Sequence, residues 1–363
     1  MNTIQIGKVE IGEGRPAAII AEGCDNHMGS LSRAKEMAQA AKESGADIIK
    51  FQLHLPEEEM VKPEIEKLTS TPFFSKWGSL YGFVEKFLLK PEEHAQLKDY
   101  CDKIGIQYFC TPFSLKAAQL LNEMGAEAFK IGSGETEDLP MIEEVAKFGK
   151  PMMVSTGMTS LDELDLTANT LKSHNTPFCL AHCISVYPIK SLNQFRFGTI
   201  PFLRERYEVL VGWSDHSPPE GVTDEASGRK ISEDEILAVA LGAGARFIEK
   251  HFTLDRKADD ADSFFSHDPI TLKHLVENVR QWEKALAPRK DIFEDEKPVW
   301  IWAKRSLVAA VDIQEGTPIT REMLTSKRPG TGIRSKEYRK FLGAKAARMI
   351  SKGSLIQRSD LAL

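Results

Sequence analysis

Cysteine is scarce in this 363-residue chain, with Cys24, Cys101, Cys110, Cys179 and Cys183 an odd set that contains no C-x-x-C pair. That argues against a disulfide framework and for reduced thiols in a cytosolic protein. No run of 18 apolar residues occurs, so no membrane span is expected. Basic blocks are missing too. Lys and Arg number 47 against 53 Asp and Glu, mixed along the chain, for a net charge of -6, which leaves no nucleic-acid footprint. The opening MNTIQIGKVEIGEG lacks an apolar core and a cleavage pattern, so it is not read as a secretory leader, and a cytoplasmic location is expected. Hydrophobic content of 42% and charged content of 28% suit an ordinary globular protein. The length accommodates a barrel of about 250 residues plus a small domain.

What is present is a rhythm. Short apolar runs predict strands over Ala17–Glu22, Asp47–Gln52, Gln107–Cys110, Glu127–Ile131, Pro151–Ser155, Phe178–Cys183, Glu208–Trp213 and Arg246–His251. Helical periodicity lies between them, over Leu31–Ser44, Pro91–Ile104, Leu115–Met124, Leu139–Phe148, Leu161–Ser173 and Asp234–Leu241, with Thr271–Ala287 after the last strand. Eight strand–helix units predict an α/β fold, a closed (β/α)8 TIM barrel over residues 1–287, rather than an open sheet. Gly-Ala or Gly-Ile pairs before strands, such as Gly105-Ile106 and Gly125-Ala126, fit helix C-caps feeding the next strand. Two stretches break the rhythm, Pro56–Phe83 and Pro218–Ser232, on the face where barrels build lids; a passive surface loop is the alternative for the second. Residues 288–302 are charged and read as a linker. Residues 303–363 read as a second, turn-rich domain, small for independent stability.

A barrel brings the carboxyl ends of its strands to one mouth. Those ends carry Glu22, Lys50 with Gln52, Thr111, Lys130 with Ser133 and Glu135, Ser155, Tyr187, Ser214 with His216, and Glu249 with His251. A lone strand-end histidine is more often a hydrogen-bonded structural residue. His216 and His251, at neighbouring strand ends and beside carboxylates, suit a divalent metal that acts as a Lewis acid toward a carbonyl. Lys50 and Lys130, with Ser133, Ser155 and Ser214, suit an anion carrying phosphate and carboxylate; salt-bridged rim lysines are the bland alternative. Glu22, Glu135 and Glu249 offer carboxylates for hydroxyl binding or acid–base work. His182, inside an apolar strand, reads as a satisfied core histidine. At His27 and His54, in loops, turn stabilisation competes with a site role.

Taken in order, these motifs resemble the sialic acid synthase family, the phosphoenolpyruvate-dependent synthases of N-acetylneuraminate and related nonulosonic acids. The resemblance runs nearly end to end. It includes Ile20-Ala21-Glu22, Asn26-His27-x-Gly29-Ser30, Lys50-Phe51-Gln52, Thr111-Pro112-Phe113, Lys130-Ile131-Gly132-Ser133-Gly134-Glu135 and Ser155-Thr156-Gly157-Met158. It continues through His182-Cys183-x-Ser185-x-Tyr187-Pro188, Ser214-Asp215-His216 and Glu249-Lys250-His251. Lys327-Arg328-Pro329-Gly330-Thr331-Gly332-Ile333 resembles the antifreeze-like (SAF) domain that ends these synthases. The resemblance implies a transferase that condenses phosphoenolpyruvate with the open-chain aldehyde of N-acetylmannosamine, releasing phosphate by C–O cleavage. It implies a divalent cofactor (Mn²⁺, Mg²⁺ or Co²⁺) on His216 and His251. Lys50, Thr111, Lys130, Ser133, Ser155, Ser185 and Ser214 would bind phosphoenolpyruvate. Glu22, Gln52, Tyr187 and Asp262 would bind the sugar, with Arg328 reaching it from the partner in a domain-swapped homodimer. Glu22, Glu135 and Glu249 would be catalytic.

Departures from the pattern bear on the sugar. The family often reads Glu-Ile-Gly-x-Asn-His where this chain reads Glu22-Gly23-Cys24-Asp25-Asn26-His27. Ser75 stands where a sugar-contacting Asn is expected, Ser185 stands where some members have Asn, and Gly221–Ser232 is long. A legionaminic or pseudaminic acid synthase using a diacetamido-dideoxy hexose remains an alternative. So do a Schiff-base aldolase built on Lys50 or Lys130 and a sugar-binding module without turnover.

Overall fold

The computed structural model describes residues 3–68, 78–258, 262–288 and 290–362; Thr69-Ser70-Thr71-Pro72 and Ser75 lie outside the described residues. The chain opens with an antiparallel hairpin, β1 (Thr3–Ile6) and β2 (Val9–Gly12), which the sequence reading did not resolve. Parallel strands follow: β3 (Ala18–Glu22), β4 (Ile48–Leu53), β5 (Gln107–Pro112), β6 (Phe129–Ile131), β7 (Met152–Ser155), β8 (Phe178–Cys183) and β9 (Val211–Asp215). The insertion after β9 forms a small hairpin, β10 (Val222–Thr223) with β11 (Lys230–Ile231), before β12 (Phe247–His251). The eight-stranded sheet runs β5-β4-β3-β12-β9-β8-β7-β6. Its two end strands, β5 and β6, approach each other, so the sheet is a nearly closed TIM-like barrel.

Pleating sends alternate residues to opposite faces of a strand. In the lower layers the inward positions are apolar: Ala18 and Ile20 on β3, Ile48 on β4, Phe109 on β5, Met153 on β7 and Phe247 on β12. Ile4, Ile6 and Ile11 of the hairpin pack into this same cluster. The hairpin therefore closes the amino-terminal end of the barrel, where burying each isoleucine contributes about 1.5–3 kcal/mol. Outward residues such as Ile19, Ile49, Phe51, Val154, Trp213 and Ile248 join the separate core shared with the helices. At the other end, the inward positions turn polar. His251 lies opposite Glu22, Glu22 opposite Lys50, and Ser214 opposite Glu249.

Two barrel strands start where expected, at Gln107 and Phe178, and the other starts differ from expectation by one to three residues. Glu208, expected to open a strand, instead terminates the helix Thr199–Tyr207 in a left-handed conformation, and the ladder begins at Val211. Val209 and Leu210 are buried without being in the ladder, so apolar character alone misplaces the boundary. Gly105 ends the helix Pro91–Ile104 at φ 78°, the left-handed cap that a glycine adopts without strain.

Residues Met1–Ala287 and Pro288–Leu363 form two compact units. The second has its own core of Leu307, Ile313, Ile319, Ile333, Phe341, Ile350 and Ile356. Part of the stretch expected as a linker is ordered helix, Lys297–Ala303. Its Trp300 ring lies 4.1 Å from the Arg334 guanidinium, and Ile301 O accepts a 2.8 Å hydrogen bond from Gly330 N. These contacts tie the helix to the small unit, which the charged composition of residues 288–302 had concealed. No helix among the described residues is long and apolar enough to cross a membrane.

Candidate active site

A cavity of about 600 Å³ opens at the carboxyl ends of the strands. Every expected site residue of the barrel lines it. Glu22, Glu135 and Glu249 are there, with Lys50, Thr111, Lys130, Ser133, Ser155, Ser185 and Ser214. Gln52, Tyr187, Asp262, His216 and His251 complete the lining. Arg328 belongs to the other unit, where its guanidinium lies 5.4 Å from the Trp302 ring centre.

The motifs Ser214-Asp215-His216 and Glu249-Lys250-His251 divide by pleat. Ser214, His216, Glu249 and His251 line the cavity. Asp215 and Lys250 face away and pair at 3.0 Å, with Lys250 Nζ also 3.0 Å from Glu233 and donating to Ser217 O at 2.7 Å. This buried ion cluster sits behind the site and fixes the two strand ends that carry the histidines.

Lys50 is buried against Glu22, 3.8 Å from Glu249 and 3.2 Å from Thr111 Oγ1. Burial works against its charge, but Glu22 and Glu249 outweigh that and raise its pKa above the usual lysine value. Lys50 is thus a fixed ammonium. Glu249 accepts a 3.0 Å hydrogen bond from Ser214. Burial opposes its ionisation, yet Lys130, Lys50 and the Ser214 hydroxyl hold its carboxyl well below the usual range. Glu135 is the counter-case. Burial raises its carboxyl to about 7, only partly offset by a backbone hydrogen bond and by His54 and Lys130. One of its oxygens, Oε2, is buried without a hydrogen-bond partner among the described residues.

The hydroxyls gather tightly. Ser133 Oγ donates to Ser155 Oγ at 3.0 Å. A Cβ on Gly157 would fall 2.3 Å from Ser185 Oγ and 2.6 Å from Ser133 Oγ. Only a glycine lets the backbone lie this close to both. Ser185 Oγ, like Glu249 Oε2, is buried and has no hydrogen-bond partner among the described residues.

His216 Nδ1 lies 2.7 Å from the Ile184 carbonyl, which can only accept, so Nδ1 carries the proton and Nε2 keeps a free lone pair. Burial, then the neighbouring His251, lowers the His216 pKa to about 4. The two imidazole centroids are 5.2 Å apart, and the Tyr187 ring, tilted by 32°, lies 4.0 Å from that of His216. Two imidazoles in this arrangement are suited to holding a divalent ion. A tighter donor group lies alongside: Cys24 Sγ, His251 Nδ1 and Asp262 Oδ2 all fall within 4.8 Å of one another. The sequence reading gave Cys24 no role. Its position two residues beyond the strand-end Glu22 was the only signal.

Other histidines separate as their surroundings dictate. His182 is a core residue with Nε2 2.9 Å from Phe195 O. His27 is buried and accepts from Gly29 N at 3.1 Å, holding the turn after β3. His54 stacks on Phe113 and lies 3.1 Å from both Glu59 and Gln52, beside a second cavity of about 360 Å³. That cavity shares Gln52, Phe113, Glu135 and Asp262 with the first and has an apolar wall of Met60, Leu80, Phe83 and Val84.

The NeuB family model matches residues 37–291, and the SAF domain matches residues 304–362. The N,N'-diacetyllegionaminic acid synthase of Campylobacter jejuni serotype O:2 is 34% identical over 348 residues, covering 93% of this chain and 98% of that protein. The pseudaminic acid synthase of Campylobacter jejuni serotype O:23/36 is 35% identical over 344 residues, covering 94% and 96%. Among solved structures, the N-acetylneuraminic acid (sialic acid) synthetase of Leptospira borgpetersenii superposes with a TM-score of 0.69 at 29% identity, covering 82% of this chain and 95% of that one. The family match over most of the barrel, and the nearly full-length identities, show that this protein belongs to the NeuB family of nonulosonic acid synthases and ends in a SAF domain.

Proposed function

We propose that this protein condenses phosphoenolpyruvate with the open-chain aldehyde of N-acetylmannosamine, giving N-acetylneuraminate and phosphate. The observation that supports this most is how one cavity distributes its groups. The arc from β5 to β7 presents Lys130 with the hydroxyls of Thr111, Ser133 and Ser155. The arc through β9, β12 and β3 presents His216, His251, Glu249 and Glu22. The first suits a phosphate and carboxylate; the second suits a hydroxylated aldehyde.

In this reading C3 of phosphoenolpyruvate bonds to the aldehyde carbon, whose oxygen gains a proton. Water adds to C2, the C2–O bond breaks, and phosphate departs with the bridging oxygen. Lys50 and Lys130 hold the anionic substrate and offset charge at the leaving phosphate. Glu135, poised near neutrality, exchanges the proton at the sugar oxygen. Glu249, kept ionised, faces the electron-poor C2. A divalent ion (Mn²⁺, Mg²⁺ or Co²⁺) on His216 and His251 would supply Lewis-acid polarisation of the aldehyde. A Schiff-base aldolase would need a free amine, and the raised pKa of Lys50 opposes that role.

A second reading has its own support. The adjoining cavity with its apolar wall offers room for the methyl and acetamido groups of a diacetamido-dideoxy hexose. The relatives named for legionaminic and pseudaminic acids match this chain along nearly all its length. One assay tests both. Phosphate release from phosphoenolpyruvate carrying ¹⁸O in the C2–O bridge is measured across a panel of hexosamines, before and after EDTA. Labelled phosphate with N-acetylmannosamine, lost with EDTA and restored by a divalent ion, is expected. Turnover confined to the diacetamido sugars selects the second reading. Unlabelled phosphate, or none with any sugar, overturns the reaction.

A further inference from the structure

We propose that Cys24 and Asp262 are metal ligands in this protein, joining His251 in a sulfur–nitrogen–oxygen site for a transition-metal ion. The inference rests on the metal-dependent reading above and deepens it. Four observations carry it. Cys24 Sγ lies 2.9 Å from Asp262 Oδ2 and 3.7 Å from His251 Nδ1, and His251 Nδ1 lies 3.3 Å from Asp262 Oδ2. Donors bound to one ion through bonds of about 2.0–2.3 Å stand roughly 3–3.7 Å from one another. The three atoms are therefore spaced like one face of a coordination polyhedron.

The second observation is backbone. Cys24 has a φ of 30°, in the left-handed region that glycine occupies at little cost and a side-chain-bearing residue does not. A strained conformation that aims a thiol at a carboxylate and an imidazole has a physical reason if the thiol is used. Third, the opposite side of the group is also held. Asp262 N donates to Asn26 Oδ1 at 2.9 Å, while Asn26 Nδ2 donates to Phe252 O at 2.9 Å. Asn26 thus clips the Asp262 loop to the turn that carries Cys24 and to the residue after His251. Fourth, His251 and Asp262 line the same cavity as His216, so an ion on this face meets the substrate space.

Binding would exchange the S–H proton for the ion. Cys24 donates its S–H to Asp262, and on binding that proton passes to solvent as the thiolate coordinates. A thiolate, an imidazole and a carboxylate together favour Co²⁺, Zn²⁺ or Fe²⁺ over Mg²⁺, which prefers all-oxygen sites. Asp262, assigned to the sugar by resemblance, moves to the ion in this proposal.

The test is Co²⁺ titration of metal-free full-length protein. One equivalent should bind and raise a near-ultraviolet sulfur-to-cobalt charge-transfer band, with excess Mg²⁺ failing to displace it. Cys24→Ala and Cys24→Ser should lose the band and bind Co²⁺ at least about tenfold more weakly by calorimetry. Cys183→Ala should keep the band, and Asp262→Asn should keep it while binding more weakly. X-ray absorption of the Co²⁺-loaded wild type supplies a check that needs no variant: a sulfur scatterer at about 2.3 Å is expected. Tight Co²⁺ binding without a sulfur signal, or a band that survives in Cys24→Ala, overturns the ligand assignment and leaves the histidine-held metal standing. Failure of the wild type to bind Co²⁺ at all removes both.

Discussion

At the scale of single residues, chemistry is set by who shares the burial. Lys50 and Glu249, both buried, compensate each other, whereas at Glu135 burial outweighs the pull of His54 and Lys130. Glu135 should therefore govern a pH limb. Its folded pKa of about 7 exceeds the unfolded value of about 4.3, so ionising it destabilises the fold. Stability should fall as pH rises from about 4.3 through 7, and Glu135→Gln should flatten that fall in urea titrations at pH 5 and 8. The same substitution should remove a kcat limb with an apparent pKa near 7. A limb that persists in the variant belongs to another group. Lys130 tests the placing of substrates. Losing its charge-assisted contact should cost about 1.5–3 kcal/mol, read as a rise in KM for phosphoenolpyruvate larger than the rise for the sugar. The reverse order would show that the two substrates are exchanged in the cavity.

At the scale of elements, most barrel strands carry an apolar foot and a polar head on the same face. Stability and chemistry are thereby separated along the strand axis. The hairpin β1–β2 serves the foot: Ile6 is fully buried against the lower inward layer. Ile6→Ala should cost about 2–5 kcal/mol, seen as a lower urea midpoint. Michaelis constants for both substrates should hold, because the polar layer lies at the far end of the strands. A selective loss of substrate affinity with unchanged stability would contradict this division.

At the scale of the whole molecule, the proposal to test is that Arg328 serves the active site of a partner subunit in a domain-swapped homodimer. The SAF unit has its own core and presents Arg328 beside Trp302. Two inactive variants, His251→Ala and Arg328→Ala, provide the measurement when mixed under verified subunit exchange. In a mixed dimer one site keeps its histidines and receives an intact arginine from the other chain, while its twin carries both lesions. With random exchange about half the dimers are mixed, so activity should recover to roughly a quarter of wild type. If Arg328 acted on its own barrel, no site would be whole and mixing would restore nothing.

The sequence by itself determined the barrel and most of its mouth, because both rest on local periodicity. Alternation along eight short strands points Glu22, Lys50, Thr111, Lys130, Ser155, Ser214 and Glu249 inward before any pairing is known, and all of them meet in one cavity. Strand starts were less legible, since Val209 and Leu210 are as apolar as the ladder they precede. The hairpin β1–β2 escaped because four-residue strands carry too little pattern, and helix Lys297–Ala303 because its charged flanks resemble a linker. Only the tertiary structure decided the rest. The raised pKa of Glu135 comes from burial, which no neighbour in sequence reports. Cys24 and Asp262 stand 238 residues apart in the chain, yet their side chains touch at 2.9 Å. That contact depends on a left-handed turn after β3 and a loop after β12 clipped together by Asn26. No period in the sequence encodes it, because it arises where the last strand of the barrel closes against the first.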